Sequence, residues 1–223
     1  MISIMETINY LVASFFTAST LLLAYLGYSF ASSKKQSLRN FGVGISFVSL
    51  AFLIWTYIVT FHPANLGLVA TVGVIPLFCA FIYFLLAAVS GVKTKYRLSL
   101  IFISGVILAS FVVARFFLYE SNPGFTDNGF FAFNVDPVVL YFYALILSFN
   151  FIPAVYVVGR HIKHDLFRVF FELGLTLVSV GLIIMVTNTD ESVQIVNGVG
   201  IAIGLVAAAL ATAKYGLSSK TIK

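Results

Sequence analysis

Among the polar side chains inside otherwise apolar stretches, four could carry chemistry: Arg115, Asn150, Glu172 and Asn197. Arg115 lies about one turn from the end of its run and is followed by Phe116, Phe117 and Tyr119. An arginine so placed has two readings. It binds an anion or gates a path while facing the interior, or it snorkels to headgroups, paired with Glu120 or another nearby acid. Glu172 follows Arg168 by four residues, which puts both on one helical face. Either the two form a satisfied interfacial pair, or a Glu172 buried away from Arg168 couples protons or a signal. Asn150 stands next to Phe149 and three residues before Pro153, whose ring frees the carbonyl of Phe149. A mid-helix amide of this kind is glue between helices or a ligand contact at a kink. Asn197 has the same two readings. Pro76 likewise frees the carbonyl of Val72, for Thr71 or a water to take up.

Other chemistry is excluded by type and spacing. His161 and His164 are three apart beside Asp165, with no Cys or further His to complete a metal site, and His62 is remote from both. No Ser-His pair falls within an apolar stretch, so a rhomboid-like protease is not expected. The last apolar stretch has no central Lys for a retinal Schiff base. Gly198, Gly200, Gly204 and Ala208 imitate the start of a dinucleotide fingerprint, but no strand precedes them. Gly200, Gly204 and Ala208 instead predict a small-residue seam for close helix packing. Cys79 is the only cysteine and has no intrachain partner. No catalytic residue, metal or cofactor is expected, and the chain reads as a non-enzyme.

The elements that must hold these residues are transmembrane helices. Of the 223 residues, 61% are hydrophobic and 9% charged, against about 25% charged in a soluble domain. A helical span needs roughly 20 apolar residues. Seven stretches qualify: Ile8–Ala31, Phe41–Phe61, Leu66–Val92, Leu98–Tyr119, Val138–Gly159, Val169–Thr187 and Val193–Ala213. None shows the alternation of a barrel strand. The first, without a cleavage pattern, reads as an uncleaved signal anchor.

Charge orients the bundle. Twelve of the thirteen basic residues collect in alternate connectors: Lys34, Lys35, Arg39; Lys93, Lys95, Arg97; Arg160, Lys163, Arg168; Lys214, Lys220, Lys223. The remaining connectors carry Glu6; Glu120, Asp127, Asp136; Asp190 and Glu191, and no Lys or Arg. Basic connectors stay in the cytoplasm, so the expectation is an all-α seven-transmembrane helix bundle with its N-terminus outside and its C-terminus cytoplasmic. Residues 1–217 form the membrane domain and 218–223 a short cytoplasmic tail. The +5 net charge therefore implies topology, not nucleic acid. The one long outside connector, Ser121–Pro137, contains turn signals around Phe130-Phe131-Ala132-Phe133. It is either a lid folded onto the bundle or a linker.

Four stretches carry a resemblance. The second span ends in SLAFLIWTYIVTF, with Trp55 before the outside turn; the third reads VGVIPLFCAFIYFLLAAVSG, with Pro76 followed by aromatics. A Phe-rich entry containing Pro137 leads into the fifth span, and ATAKYGL closes the seventh. In this order they resemble the N-terminal seven-span sensor region of bacterial histidine kinases, over Ile8 to Leu217. The resemblance implies a sensory bundle that passes helix rearrangements to cytoplasmic domains. No kinase or cyclase sequence follows Leu217, so catalysis is not carried over and Trp55 and Pro76 match as packing elements.

The expected function is a sensor or signal-transduction module without its own catalytic domain. Arg115, Asn150 and Asn197 are the candidate ligand-binding residues, and Glu172 and Arg168 the candidate coupling pair. The partners implied are the lipid bilayer, a cytoplasmic signalling protein or membrane partner, and a small extracytoplasmic or lipophilic ligand. The alternatives are a small transporter, for which lining polar residues are sparse, and a structural subunit of a membrane complex.

Overall fold

A computed structural model describes residues 4–119, 122–125, 131–162, 164–187 and 191–215, without the side chains of 4–9, 11, 131–132, 185–187, 191, 194 and 214–215. Glu120, Asp127, Lys163, Asp190, Lys220, Lys223 and the 218–223 tail lie outside the described residues, as do the side chains of Glu6, Glu191 and Lys214.

Seven helices are long and apolar enough to cross a membrane. The first is Ile4–Ala31, the second Gln36–Phe61 and the third Leu66–Gly91. The fourth and fifth run over Thr94–Leu118 and Pro137–Gly159. The sixth is Asp165–Thr187 and the seventh Glu191–Tyr215. The second, fourth and sixth start earlier than their apolar runs, at Gln36, Thr94 and Asp165. Hydropathy marks the length that suits lipid, whereas the backbone ladder continues through polar residues beyond it.

Short connectors force successive spans to run antiparallel, and each packs on the next. The first also meets the seventh, closing a ring, while the fifth reaches inward to the second and third. The exterior is apolar: Tyr28, Leu98, Phe117, Val196 and Leu210 are all exposed. Such an exterior suits lipid contact.

Helices in lipid gain little from burying apolar surface, so close packing must supply their attraction. Glycines let it. A Cβ on Gly42 would meet the backbone at Ala31, between the second and first spans. A Cβ on Gly204 would meet the carbonyl of Gly174, between the seventh and sixth. The expected seam is thus corrected in part: Gly204 and Ala208 are packed, but Gly200 faces open space.

The bundle has two unlike ends. Towards the basic connectors, Phe41 lies 5.4, 5.5, 6.2 and 6.2 Å from Phe30, Phe84, Phe151 and Phe171, measured between ring centroids. These rings come from five different spans and fill the axis. Towards the acidic connectors the axis is wider, and a small antiparallel hairpin covers it. Its strands are β1 (Gly124–Phe125) and β2 (Phe131–Ala132). The hairpin is tied to the bundle at two points, and its flanks to each other at a third. Phe125 lies 4.2 Å from the ring of His62, a left-handed residue closing the second helix. Phe133 meets Trp55 edge-on at 5.0 Å. Asn134 donates from Nδ2 to the carbonyl of Asn122 at 2.9 Å. Of the two readings of Ser121–Pro137, its described residues fit the one in which it folds onto the bundle. Pro137 then opens the fifth span, capped by the Asp136 carboxylate accepting from Val138 N–H at 2.8 Å.

Candidate ligand-binding site

Two π-helical turns occur in the described helices, one ending the fourth span and one within the fifth, and each carries a sequence-predicted site residue. Such turns insert one residue into the α ladder and recur at functional sites. The first, Ala114–Leu118, is closed by the Tyr119 N–H donating to the Ala114 carbonyl at 2.9 Å. It turns Arg115 inward, to 8% exposure, while Phe117 and Leu118 point outward. A charged side chain inside and apolar ones outside is the order lipid favours.

Arg115 borders two spaces. One is a small cavity of about 60 Å³ between spans two to six under the hairpin, walled by Trp55, Leu77, Phe111, Phe133, Tyr143 and Leu182 among others. The other is a groove of about 500 Å³, open to the surroundings, where Thr71, Tyr119 and Asn122 stand beside Phe116, Phe117 and Leu118. Arg115 therefore stands between an open groove and an apolar chamber. A second, smaller chamber of about 30 Å³ lies deeper and shares Leu77, Tyr143 and Leu182 with the first. Its floor includes Phe84 and Phe151, members of the aromatic cluster around Phe41.

The electrostatics of this site are unbalanced. The one described ion pair is Arg168–Glu172, far along the sixth span. Among the described residues no carboxylate pairs with Arg115, and its visible partner is the Phe116 ring at 5.7 Å. A cation–π contact contributes about 0.5–2 kcal/mol. Holding an arginine at membrane depth costs about 2.5–3.5 kcal/mol at a helix centre and less near the end. The ring alone does not offset that. The Trp55 indole nitrogen is also buried without an acceptor, in a side chain 4% exposed. Gly73 permits it, since a Cβ there would lie 3.0 Å from that nitrogen. Among the described residues these two donors of one wall have no acceptor.

Comparison with known families, characterised proteins and solved structures found no match.

The remaining predicted residues separate from Arg115. Asn150 occupies the second π turn, Leu147–Phe151, in which the Ile152 N–H donates to the Leu147 carbonyl. The turn lies just ahead of Pro153, which can donate no backbone bond. Asn150 is fully buried and donates from Nδ2 to the Phe81 carbonyl at 3.4 Å, so it joins the fifth span to the third. Its Oδ1 has no donor. Its neighbours Leu147 and Phe151 line the deeper chamber, but Asn150 does not. Asn197 has an unpartnered Nδ2 and lines none of these spaces. Of the two partners suggested for the Val72 carbonyl, Thr71 is engaged elsewhere, its hydroxyl donating to Gly67 O at 2.8 Å.

At the opposite end, Arg168 donates to Glu172 Oε1 at 2.8 Å, the i,i+4 pair that the spacing allows. Arg160 and Arg168 both lie over the Tyr156 ring, at 4.4 and 5.5 Å. The Glu172 carboxylate occupies the space a Cβ on Gly159 would take. The fifth and sixth spans are clamped there. Trp55, Tyr143 and Phe133 are the site residues that sequence reasoning did not single out as ligand contacts. The lone tryptophan beside a Phe-rich loop was the available signal for two of them.

Proposed function

We propose that this chain is a membrane-embedded sensor module that takes a small ligand at its outer end and passes the signal along the fifth and sixth spans. The outer end is the one with acidic connectors, on the argument that cations stay cytoplasmic. The observation that carries this reading is the course of those two spans. Tyr143 and Leu182 wall both chambers, and the same helices bear the Tyr156, Arg168 and Glu172 clamp at the basic end. A ligand that moves Tyr143 or Leu182 pulls directly on that clamp. The π turn around Asn150 lies between the two and gives the fifth span a weak point at which to bend. Rings from five spans close the axis below the chambers, which favours occupancy over passage of a solute. The resemblance to histidine-kinase input regions points the same way, with the basic end as the surface a signalling partner would read.

The test is a distance measurement. Spin labels at the exposed positions Tyr96 and Leu166 report the basic ends of the fourth and sixth spans in nanodiscs. A panel of amphiphilic compounds that bind the purified protein is expected to change that distance. Binding without any change, or uptake of a labelled compound by vesicles containing the protein, counts against the sensor. Reporter fusions after Lys95 and near Asp190 must fall in opposite compartments, or the orientation is lost.

A further inference from the structure

The basic end of the bundle is closed inside by rings, and its surplus charge lies on the rim. From that rim we propose that the seam between the fifth and sixth spans binds an anionic glycerophospholipid, its phosphate on Arg160 and Arg168 and its chains against Ile152 and Leu173. The site goes beyond the sensor reading and does not rest on it.

The first observation is that two cations from different elements meet on one ring. Arg160 follows the last turn of the fifth span and Arg168 lies in the first turn of the sixth. Their guanidinium carbons are nevertheless 4.4 and 5.5 Å from the same Tyr156 centroid. A shared ring keeps the two cations near each other. A phosphate is the anion whose several oxygens can take N–H donors from both. The connector after the third span has no such arrangement. There Arg97 donates its Nε–H to the Val92 carbonyl at 3.0 Å and Lys95 lies over the adjacent Tyr96, both local contacts.

The second observation is that the charge at the seam is not cancelled. Glu172 accepts from Arg168 Nε at 2.8 Å. Among the described residues Arg160 pairs with no carboxylate, and Asp165, the other acid of this end, forms no ion pair. Lys35 adds a further cation, its Nζ 3.4 Å from the ring of His161, the residue after Arg160. The acids whose side chains lie outside the described residues are Glu6, Glu120, Asp127, Asp190 and Glu191, and by sequence all belong to the opposite end. Lys163, the one undescribed side chain of this connector, is another base. The surplus therefore does not depend on them.

The third observation is where the cations stand. Tyr156 is half exposed and lies one turn inside the end of a membrane span, and Ile152, one turn deeper on the same face, is exposed as well. Across the seam Val169 and Leu173 are exposed beside Arg168 and Glu172. Charge at headgroup level with an apolar strip running inward fits the head and chains of one lipid. Chains meet every exposed face of the bundle alike, so selectivity must lie in the head.

The experiment places the full chain in phosphatidylcholine nanodiscs with a trace of phosphatidylglycerol that carries a diazirine near the carbonyl end of one chain. After irradiation, labelled residues are mapped by peptide mass spectrometry. Labelling is expected to centre on Ile152, Val169 and Leu173. Unlabelled phosphatidylglycerol is expected to compete about fivefold better than phosphatidylcholine of the same chains, the factor that one basic residue near an anionic lipid contributes. Arg160→Gln should weaken the labelling by a similar factor. Lys95→Gln removes the same charge elsewhere on the same end and should change it by less than half as much. If a variant fails to fold, the competition between the two lipids on the unaltered protein still decides. Equal competition overturns the proposal, as does equal labelling of exposed positions away from the seam, such as Leu98 and Leu210. Equal losses from the two variants reduce the site to diffuse attraction and overturn it too. Inorganic phosphate is the last arm: if it displaces the analogue as well as phosphatidylglycerol does, the anion is free phosphate and the lipid is wrong.

Discussion

The two ends of this bundle are built from the same kinds of residue and solve opposite problems. At the basic end, aromatic rings from five spans converge on Phe41, and the nearby charges are matched: Arg168 with Glu172, and Arg160 over Tyr156. At the acidic end, Trp55, Phe111 and Phe133 border a cavity, and among the described residues neither Arg115 nor the Trp55 N–H has an acceptor. The charge pairing seen at one end is missing, among the described residues, at the other, which also holds the cavity. In lipid, where packing is the main attraction between helices, a loose and electrostatically incomplete end is the part that a bound molecule can finish.

The largest effect expected from this contrast is at the tight end. Phe41→Ala removes a ring that touches four others, and truncating a well-packed core Phe costs about 3–5 kcal/mol. A residue added at the loose end should behave differently. Val139→Phe places extra bulk against the upper chamber, which Val139 lines. Overpacking a full core costs about 1–3 kcal/mol, but here space exists, so the loss should stay under about 1 kcal/mol by the same measure. Thermal unfolding in one detergent compares the two directly. Equal losses would erase the distinction between the ends.

The next effect has the opposite sign. If the Arg115 guanidinium is uncompensated in the ligand-free protein, removing its charge should stabilise that form. Arg115→Met keeps the stem and is expected to raise stability by about 1–2 kcal/mol, less than the full cost of arginine at a helix centre. Functional sites commonly carry such a burden. A drop in the melting temperature would mean that Arg115 already has a good partner, and would remove the charge contrast between the two ends.

The sequence made the spans legible because hydrocarbon thickness imposes a length that apolar runs reveal. The charges made the two ends distinguishable for the same reason: alternate connectors collect the cations. The i,i+4 spacing likewise showed the Arg168–Glu172 pair, since local geometry suffices for it. The chambers were not legible. They depend on which faces of six helices turn inward, and spans apolar all round carry no periodicity to say so. Arg115 stood out as a charge, yet its inward aim comes from a π turn that no residue type announces. Asn150 and Asn197 were grouped with it because all three are polar at membrane depth. Asn150 is instead turned to the third span, a rotation that composition cannot express.

A smaller effect is expected at the clamp. Arg168 and Glu172 side chains are 30% and 26% exposed, and helix-surface pairs of this spacing contribute about 0.3–0.5 kcal/mol. Glu172→Gln should therefore change stability little. If the fifth and sixth spans transmit the signal, it should nevertheless alter the ligand-dependent distance between labels at Tyr96 and Leu166. A large loss of stability with an unchanged distance response would make the pair structural.

The smallest effect lies at the basic connector after the fifth span. Lys35 Nζ sits 3.4 Å from His161 Nδ1, and Ser37 Oγ 3.4 Å from Nε2. Lysine can only donate, so Nδ1 must accept and the Nε2–H donates to Ser37. Burial, and then the charge of Lys35, hold the imidazole below its ordinary value. The folded chain thus binds fewer protons here than the unfolded one, and stability from this group is complete above the unfolded histidine's pKa of about 6.5. It declines as the pH falls through 6.5 towards the lowered folded value, because a second proton removes the acceptor and sets two cations together. Melting midpoints at pH 8 and pH 5 should differ for the unaltered protein by more than for His161→Gln, whose side chain does not titrate. If the variant keeps the full pH dependence, the acid sensitivity belongs to other groups, and the satisfied character of the basic end loses its one titratable contact between the first connector and the fifth span.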